Sequence, residues 1–177
     1  DQLKAACEAQ KVRHLSGFGA KTEEAILQGI SIAVLANERI LWAHADKIAK
    51  DLEIHMSSCS AIRQIEFAGS YRRGKETVGD LDLLVDSDDS ETVMDHFGKY
   101  EEITSVIVRG ETKMSVRLEN EFQVDLRVVP QESFGAALQY FTGSKDHNVL
   151  VRGRAKQMGL KVNEWGLFEV KDSDERW

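Results

Sequence analysis

FAGSYRRGKETVGDLDLLVD, residues 67–86, holds a strand end, a tight Gly-Ser turn, a short basic stretch and a second strand carrying two carboxylates. Ile65 and Phe67 lead into Gly69-Ser70, where a glycine lets the backbone approach a ligand closely. Residues 70–74 are placed to form a short helix whose first amides point at an anion. Arg72, Arg73 and Lys75 put positive charge beside that spot, as a polyphosphate requires. Gly79 then ends the loop, and residues 80–85 read as a strand. Side chains alternate faces along a strand, so Asp80 and Asp82 share one face while Leu81 and Leu83 turn into a core. Two carboxylates on one face repel each other unless a cation sits between them. Oxygen ligands at this spacing suit Mg²⁺, which is held by a few carboxylates together with substrate phosphates. A turn for phosphates followed by a carboxylate pair for metal is the minimum equipment for phosphoryl or nucleotidyl transfer. The competing reading is a basic turn beside a solvated acidic strand. Aspartate disfavours strands, so a pair inside an apolar run asks for a reason.

With 177 residues and 42% hydrophobic content, the chain can bury a core as one domain or two small ones. No apolar run approaches membrane-spanning length and no signal peptide is visible, which sets the expectation of a soluble, cytoplasmic protein with no membrane partner. Cys7 and Cys59 lack metal-site spacing and read as buried thiols of a reducing compartment. The net charge of −7 argues weakly against nucleic acid, but basic residues gather locally at 11–14, 72–75 and 145–156. Acid gathers instead at 86–91 and 172–175, and the overall sign does not decide the question. Pro130 is the only proline, and no linker, repeat or low-complexity tract is visible.

Toward the N-terminus, residues 1–10 read as a short helix with Leu3, Ala6 and Cys7 on one face. Leu15-Ser16-Gly17-Phe18-Gly19 reads as a hairpin before a second helix over residues 21–28, closed by Gly29. Exposed amides at Gly17, Gly19 and Lys21 suit a DNA phosphate without sequence readout. The alternative is a plain helix–helix turn. A long helical pattern runs over residues 31–55 through Ile32, Leu35, Ile40, Leu41, Ala45, Ile48 and Leu52. Trp42 on it is expected in the core, and His44 and His55 at the surface.

Toward the C-terminus, an acidic turn at 86–90 caps a helix over 91–97. Residues 102–108 and 113–118 read as antiparallel strands, and 122–129 as a further strand with Gln123, Asp125 and Arg127 on one face. A helix over 133–141, a Thr-Gly-Ser turn and a helix capped by Ser144 follow, with Asn148 and Arg152 sharing a face. Residues 160–163 and 166–170 close with a small hairpin, where Trp165 is expected to be packed.

GSYRRGKETVGDLDLLV resembles the nucleotidyltransferase signature of the family X DNA polymerases, the family of DNA polymerase beta, and is most similar to its bacterial members. The resemblance extends through RGETKMSV, VDLR, YFTGSKDHNVLVRGRA and NEWGLF, nearly the whole chain. It implies an α+β fold: a helical helix-hairpin-helix subdomain (1–56), a nucleotidyltransferase palm with a mixed β-sheet (57–130) and a partial C-terminal α/β subdomain (131–177). It implies templated addition of dNTPs to a primer 3′-hydroxyl in gap-filling repair, with two Mg²⁺ ions for which Mn²⁺ can substitute. Asp80, Asp82 and Asp125 become the metal-binding catalytic carboxylates, Asp125 being placed beside the pair by the resemblance and not by spacing. Gly69, Ser70, Arg73 and Gly79 would hold the triphosphate; Tyr140, Phe141 and Gly143 would lie at its sugar, and Asn148 at its minor-groove edge. Gly17, Gly19, Lys21, Lys113 and Arg152 would meet DNA, and the hairpin would bind a monovalent cation through the carbonyls of Arg13, Leu15 and Phe18.

The chain departs from the family pattern at several points. Gln123 stands where DNA polymerase beta has an arginine, and Lys145, Asp146 and Val149 also differ, so the setting of Asp125 and the stacking on the nascent pair should change. Neither a lyase domain nor a histidine-rich phosphoesterase domain is visible, and the ends read as those of a fragment, expected to act as a monomer at the bacterial nucleoid. Two rivals remain: a nucleotidyltransferase acting on RNA ends or small molecules, and a non-catalytic DNA-binding module.

Overall fold

The computed structural model describes residues 2–36 and 39–170, without the side chains of residue 28 and of residues 30–36. It divides into two compact units, Asp1–Glu38 and Arg39–Trp177. The smaller unit contains α1 (Gln2–Glu8), a 3₁₀ turn (Val12–His14) and α2 (Ala20–Ala36). Among the described residues its buried apolar ones are Cys7 and Val12, joined by the carboxylate of Glu23, which is 1% exposed. That carboxylate accepts hydrogen bonds from the Arg13 backbone N–H (2.9 Å) and from Arg13 Nε (2.7 Å), tying the 3₁₀ turn to α2. Glu23 is held below the usual carboxylate range: burial alone would raise it, but the bonds from Arg13 prevail.

The larger unit runs β1 (Ile40–Leu41), α3 (Trp42–Ser57), β2 (Gln64–Phe67), α4 (Gly69–Arg72), β3 (Thr77–Val78), β4 (Asp80–Asp86) and α5 (Ser90–Phe97). It continues through β5 (Ile103–Arg109), β6 (Lys113–Leu118), β7 (Gln123–Val129), α6 (Gln131–Thr142), α7 (Lys145–Gln157), β8 (Leu160–Asn163) and β9 (Gly166–Glu169). Five strands form a mixed sheet in the order β2-β4-β7-β6-β5, in which β4 and β7 are parallel and the other pairs antiparallel. The parallel pair sets Leu81 opposite Val124, Asp82 opposite Asp125 and Leu83 opposite Leu126. On one face Leu81, Leu83, Val85, Val124, Leu126 and Val128 bury against Ala45, Ala49, Leu52 and Met56 of α3 and Val93, Met94 and Phe97 of α5. The other face is divided along its length. Leu84 and Val129 pack under Phe134 and Ala137 of α6, while Asp80, Asp82 and Asp125 occupy the remainder. Asp89 caps α5 by accepting from the Thr92 N–H (3.0 Å), and Ser144 caps α7 by accepting from the His147 N–H (3.4 Å).

Several expectations change. The second helix does not close at Gly29 but continues to Ala36, and the long pattern over 31–55 is not one helix. Ile40-Leu41 pairs instead with Thr77-Val78, and α3 starts only at Trp42. No proline or glycine marks that break; the ladder to β3 outweighs helix propensity there. The side chains of Ile32 and Leu35, and the acidic residues 172–175, lie outside the described residues. Trp165 is 43% exposed and not packed, with its carbonyl held by the Ser133 hydroxyl at 3.0 Å. His55 is half-buried, its ring stacked on that of His96 at 4.4 Å, whereas His44 is exposed as expected. Cys7 and Cys59 are buried free thiols. Among the described residues no helix is long and apolar enough to cross a membrane.

Gly29 is exposed, has an ordinary helical φ, and a Cβ there would meet nothing within 4 Å. Gly29→Ala is therefore expected to stabilise the small unit by about 0.5–1 kcal/mol, read by urea or thermal unfolding. Destabilisation would put Gly29 at a left-handed helix end.

Candidate active site

The site begins with β4 and the turn folded over its start. The Ala68 N–H donates to the Asp82 carbonyl (2.8 Å), which brings α4 onto the strand. Gly69 has φ +59°, and a Cβ on it would lie 2.2 Å from Asp82 Oδ2, so only glycine fits. The glycine read from sequence as making room for a ligand thus also makes room for a carboxylate. The turn is braced from α3: Tyr71 donates its hydroxyl to Asp46 Oδ1 (2.7 Å), and Trp42 Nε1 donates to the Tyr71 carbonyl (3.0 Å). The Trp42 and Tyr71 rings stack at 5.2 Å with 4° between planes. Trp42, expected in the core, is instead 36% exposed on this brace.

Gly69, Ser70, Arg73, Asp80, Asp82, Tyr140, Phe141, Gly143, Asn148 and Arg152 line one open cleft of about 560 Å³. Arg73 reaches the Thr142 carbonyl, linking the turn to the end of α6. Arg39, which sequence reasoning missed, also lines the cleft. Its Nε donates to Thr77 Oγ1 (2.9 Å) and its Nη2 to the Thr77 carbonyl (2.5 Å). A Cβ on Gly79 would meet Arg39 Nη1 at 3.2 Å, so this glycine makes room for the guanidinium. Lys145 and Val149, read from sequence only as departures, are lining residues too. Tyr140 and Phe141 pack edge to face at 5.3 Å, and the Arg127 guanidinium lies 4.1 Å over the Phe141 ring. Asn148 is tied internally: its Nδ2 donates to the Tyr140 carbonyl (2.6 Å) and its Oδ1 accepts from Gln139 (3.3 Å).

Asp125 stands one strand away, opposite Asp82. Its Oδ1 accepts from Gln123 Nε2 at 2.8 Å, and Lys113 Nζ lies 3.1 Å from its Oδ2. Burial is the largest influence on Asp125 and would raise its pKa, but the hydrogen bonds from Gln123, Ser115 and Lys113 hold it below the ordinary range. The other two carboxylates have no such support. Burial raises Asp80, assisted by the Asp125 charge. Asp82 is pushed up to about 7, first by burial and then by repulsion from Asp80 and Asp125. A face of buried oxygen donors with unbalanced negative charge suits a hard divalent cation. Among the described residues, however, no three such side chains are disposed to hold an ion as they stand. Asp125 is turned onto Lys113 and Gln123 instead.

The remaining expected residues belong to the smaller unit. Gly17 has φ +85°, and a Cβ on Gly17 or Gly19 would meet nothing within 4 Å, leaving the hairpin backbone open to approach. Lys21 is exposed in the first turn of α2. The Leu15 carbonyl accepts from the Phe18 N–H at 3.0 Å.

The mixed sheet thus sets three aspartates on one face beside the Gly-Ser turn. Residues 39–136 match the model of the DNA polymerase beta palm, and residues 137–176 that of the DNA polymerase beta thumb. The chain belongs to the DNA polymerase beta family, family X. It is 42% identical over 176 residues to the DNA polymerase/3'-5' exonuclease PolX of Bacillus subtilis (strain 168), covering 98% of this chain and 31% of that protein. It is 30% identical over 117 residues to DNA polymerase lambda of Rattus norvegicus, covering 56% of this chain and 20% of that one. The Repair DNA polymerase X of African swine fever virus is 26% identical over 150 residues, 81% of each chain. The chain thus spans less than a third of the bacterial relative. Its fold matches the Leishmania infantum polymerase beta structure, a ternary P/T complex, at TM-score 0.74 and 22% identity, over 97% of this chain and 82% of that one. Members of the family use divalent metal ions.

A folded pKa of about 7 for Asp82, above its unfolded value near 4, means the folded state binds the extra proton. That contribution to stability is fully present below pH 4 and is lost as pH rises through about 7. In EDTA, unfolding midpoints are therefore expected to fall between pH 5 and 8, and Asp82→Asn to remove most of that slope. An unchanged slope in the variant would contradict the assignment.

Proposed function

We propose that this chain is the polymerase portion of a family X enzyme, adding dNTPs to the 3′-hydroxyl of a primer annealed to template, in gap-filling DNA repair. The observation that carries the reading is the register that sets Asp82 opposite Asp125 on the face shared with Asp80, under the Gly69-Ser70 turn. In the reaction the primer 3′-oxygen bonds to the α-phosphorus of the dNTP, and the bond to the leaving pyrophosphate breaks.

Asp80, Asp82 and Asp125 would hold two divalent cations, Mg²⁺ in the cell with Mn²⁺ able to substitute. When bound, these ions supply neutralisation of the triphosphate and a lowered pKa for the attacking hydroxyl. The protein's own groups do the rest. Ser70, Arg73 and Arg39 hold the triphosphate on one wall of the cleft, the arginines as planar charged donors, and the Gly79 amide, beside Arg39 but not on the cleft lining, adds a backbone donor. Tyr140 and Phe141, with the Gly143 turn, support the sugar. Asn148 exchanges its internal partners for the minor-groove edge, and Arg152 meets the template. Asp125 takes the hydroxyl proton once the hydrogen bonds that hold it below the ordinary carboxylate range loosen, since in their grip it is a weak base. Gly17, Gly19 and Lys21 grip a DNA phosphate through the hairpin, with a monovalent cation at the carbonyls of Arg13, Leu15 and Phe18. A monomer suffices for this reading, and its place is the cytoplasm, where bacterial DNA lies.

Extension of a labelled primer on gapped duplex, with dNTPs and Mg²⁺ or Mn²⁺, tests the proposal. Asp125→Ala is expected to abolish extension and to leave DNA affinity within about threefold, because it removes chemistry and not grip. Equal loss of both would remove the assigned role. Arg39→Ala is expected to raise the KM for dNTP about tenfold, the cost of losing one charge-assisted contact to phosphate. An unchanged KM would take Arg39 out of the triphosphate wall.

A further inference from the structure

Both carboxylate oxygens of Asp125 are engaged. Its Oδ1 is taken by Gln123 Nε2 (2.8 Å) and its Oδ2 faces Lys113 Nζ (3.1 Å). The pairing of β6 with β7 explains the reach. Ser115 lies opposite Asp125 and Lys113 opposite Arg127, so Lys113 is a diagonal neighbour of Asp125 on the same face of the sheet. The two partners differ in their surroundings. The Asp125 side chain is 11% exposed, whereas that of Lys113 is 36% exposed at the first position of β6, just after the turn at residues 110–112. A buried carboxylate needs a positive partner, and a lysine ammonium on a flexible stem is one that can leave toward solvent. At 3.1 Å from Oδ2 the ammonium opposes a divalent cation at that oxygen by like-charge repulsion.

We propose that Lys113 is a positioning residue that withholds Asp125 from divalent cation, and that a DNA backbone phosphate releases Asp125 by drawing the ammonium away. The inference rests on the reading of Asp125 as a cation ligand and of DNA as substrate. It makes metal occupancy of the third carboxylate conditional on DNA, although the strand register sets all three aspartates on one face beforehand. Gln123 completes the arrangement, because it fixes the second oxygen without adding a charge, which leaves Lys113 as the cation facing the carboxylate. Ion and DNA then favour each other's binding by the same factor, as linkage requires.

Mn²⁺ binding to the DNA-free and nucleotide-free protein, followed by electron paramagnetic resonance, tests this without turnover. Lys113→Gln is expected to tighten Mn²⁺ about three- to tenfold. The same change made in an Asp125→Asn background should have no effect, because the lock has nothing to hold. Unchanged affinity in Lys113→Gln overturns the proposal. So does equal tightening in both backgrounds, which would mean that removing a positive charge acts on Asp80 and Asp82 through the general field. For the DNA half, Lys113→Gln should lower the slope of log affinity against log salt by about one on a recessed-end duplex. An unchanged slope would leave Lys113 without a phosphate partner and overturn that half. Primer extension by the parent chain reports separately on the polymerase reading, whatever the Mn²⁺ titration returns.

Discussion

The parallel pairing of β4 with β7 is the constraint on which the rest depends. Strands 43 residues apart in sequence, counted from Asp82 to Asp125, are set side by side in a register that leaves no choice of face. A slip by one residue would exchange Asp125 with Val124 or Leu126 and bury the charge in the main core. The apolar face, packed by α3 and α5, therefore locks the polar one. The resulting cluster of carboxylates is held against its own repulsion, an arrangement that costs stability and that a bound cation would relieve.

Around that cluster the structure supplies cations in different states of readiness. Lys113 is on Asp125 itself. Arg73 is anchored to the Thr142 carbonyl and Arg39 to Thr77, so both are oriented toward the cleft before any ligand arrives. Pre-orientation of this kind lowers the entropy lost on binding a triphosphate. The same logic holds for the turn beneath it. Trp42, Tyr71 and Asp46 fix α4 against α3, while Gly69 lets Asp82 come up against the turn. The Gly-Ser turn and the carboxylate face are therefore braced by separate elements and meet at one glycine.

Much of this was legible in the sequence because it is local. The Gly-Ser turn, the Asp-x-Asp strand and the capped helices after Asp89 and Ser144 each depend on residues within a few positions of one another. What failed did so for lack of a local signal. Asp125 could be joined to the pair only by resemblance, since spacing does not report which strands pair. Arg39 was hidden inside a helical pattern that the β1–β3 ladder interrupts, and no breaker residue announces the interruption. Nothing local singles out Glu23, and only the fold brings Arg13 onto it in the interior. Trp42 is the kind of side chain that a core buries, yet its indole N–H is used to hold the Tyr71 carbonyl of α4.

The most direct test of the central claim is anomalous diffraction from Mn²⁺ in crystals grown with gapped DNA and a non-extendable dNTP. The account predicts strong peaks at Asp80 and Asp82, one of them also bonded to Asp125, with Lys113 moved off that carboxylate. Peaks that leave Asp125 on Lys113, or that lie away from the β4–β7 face, would contradict it.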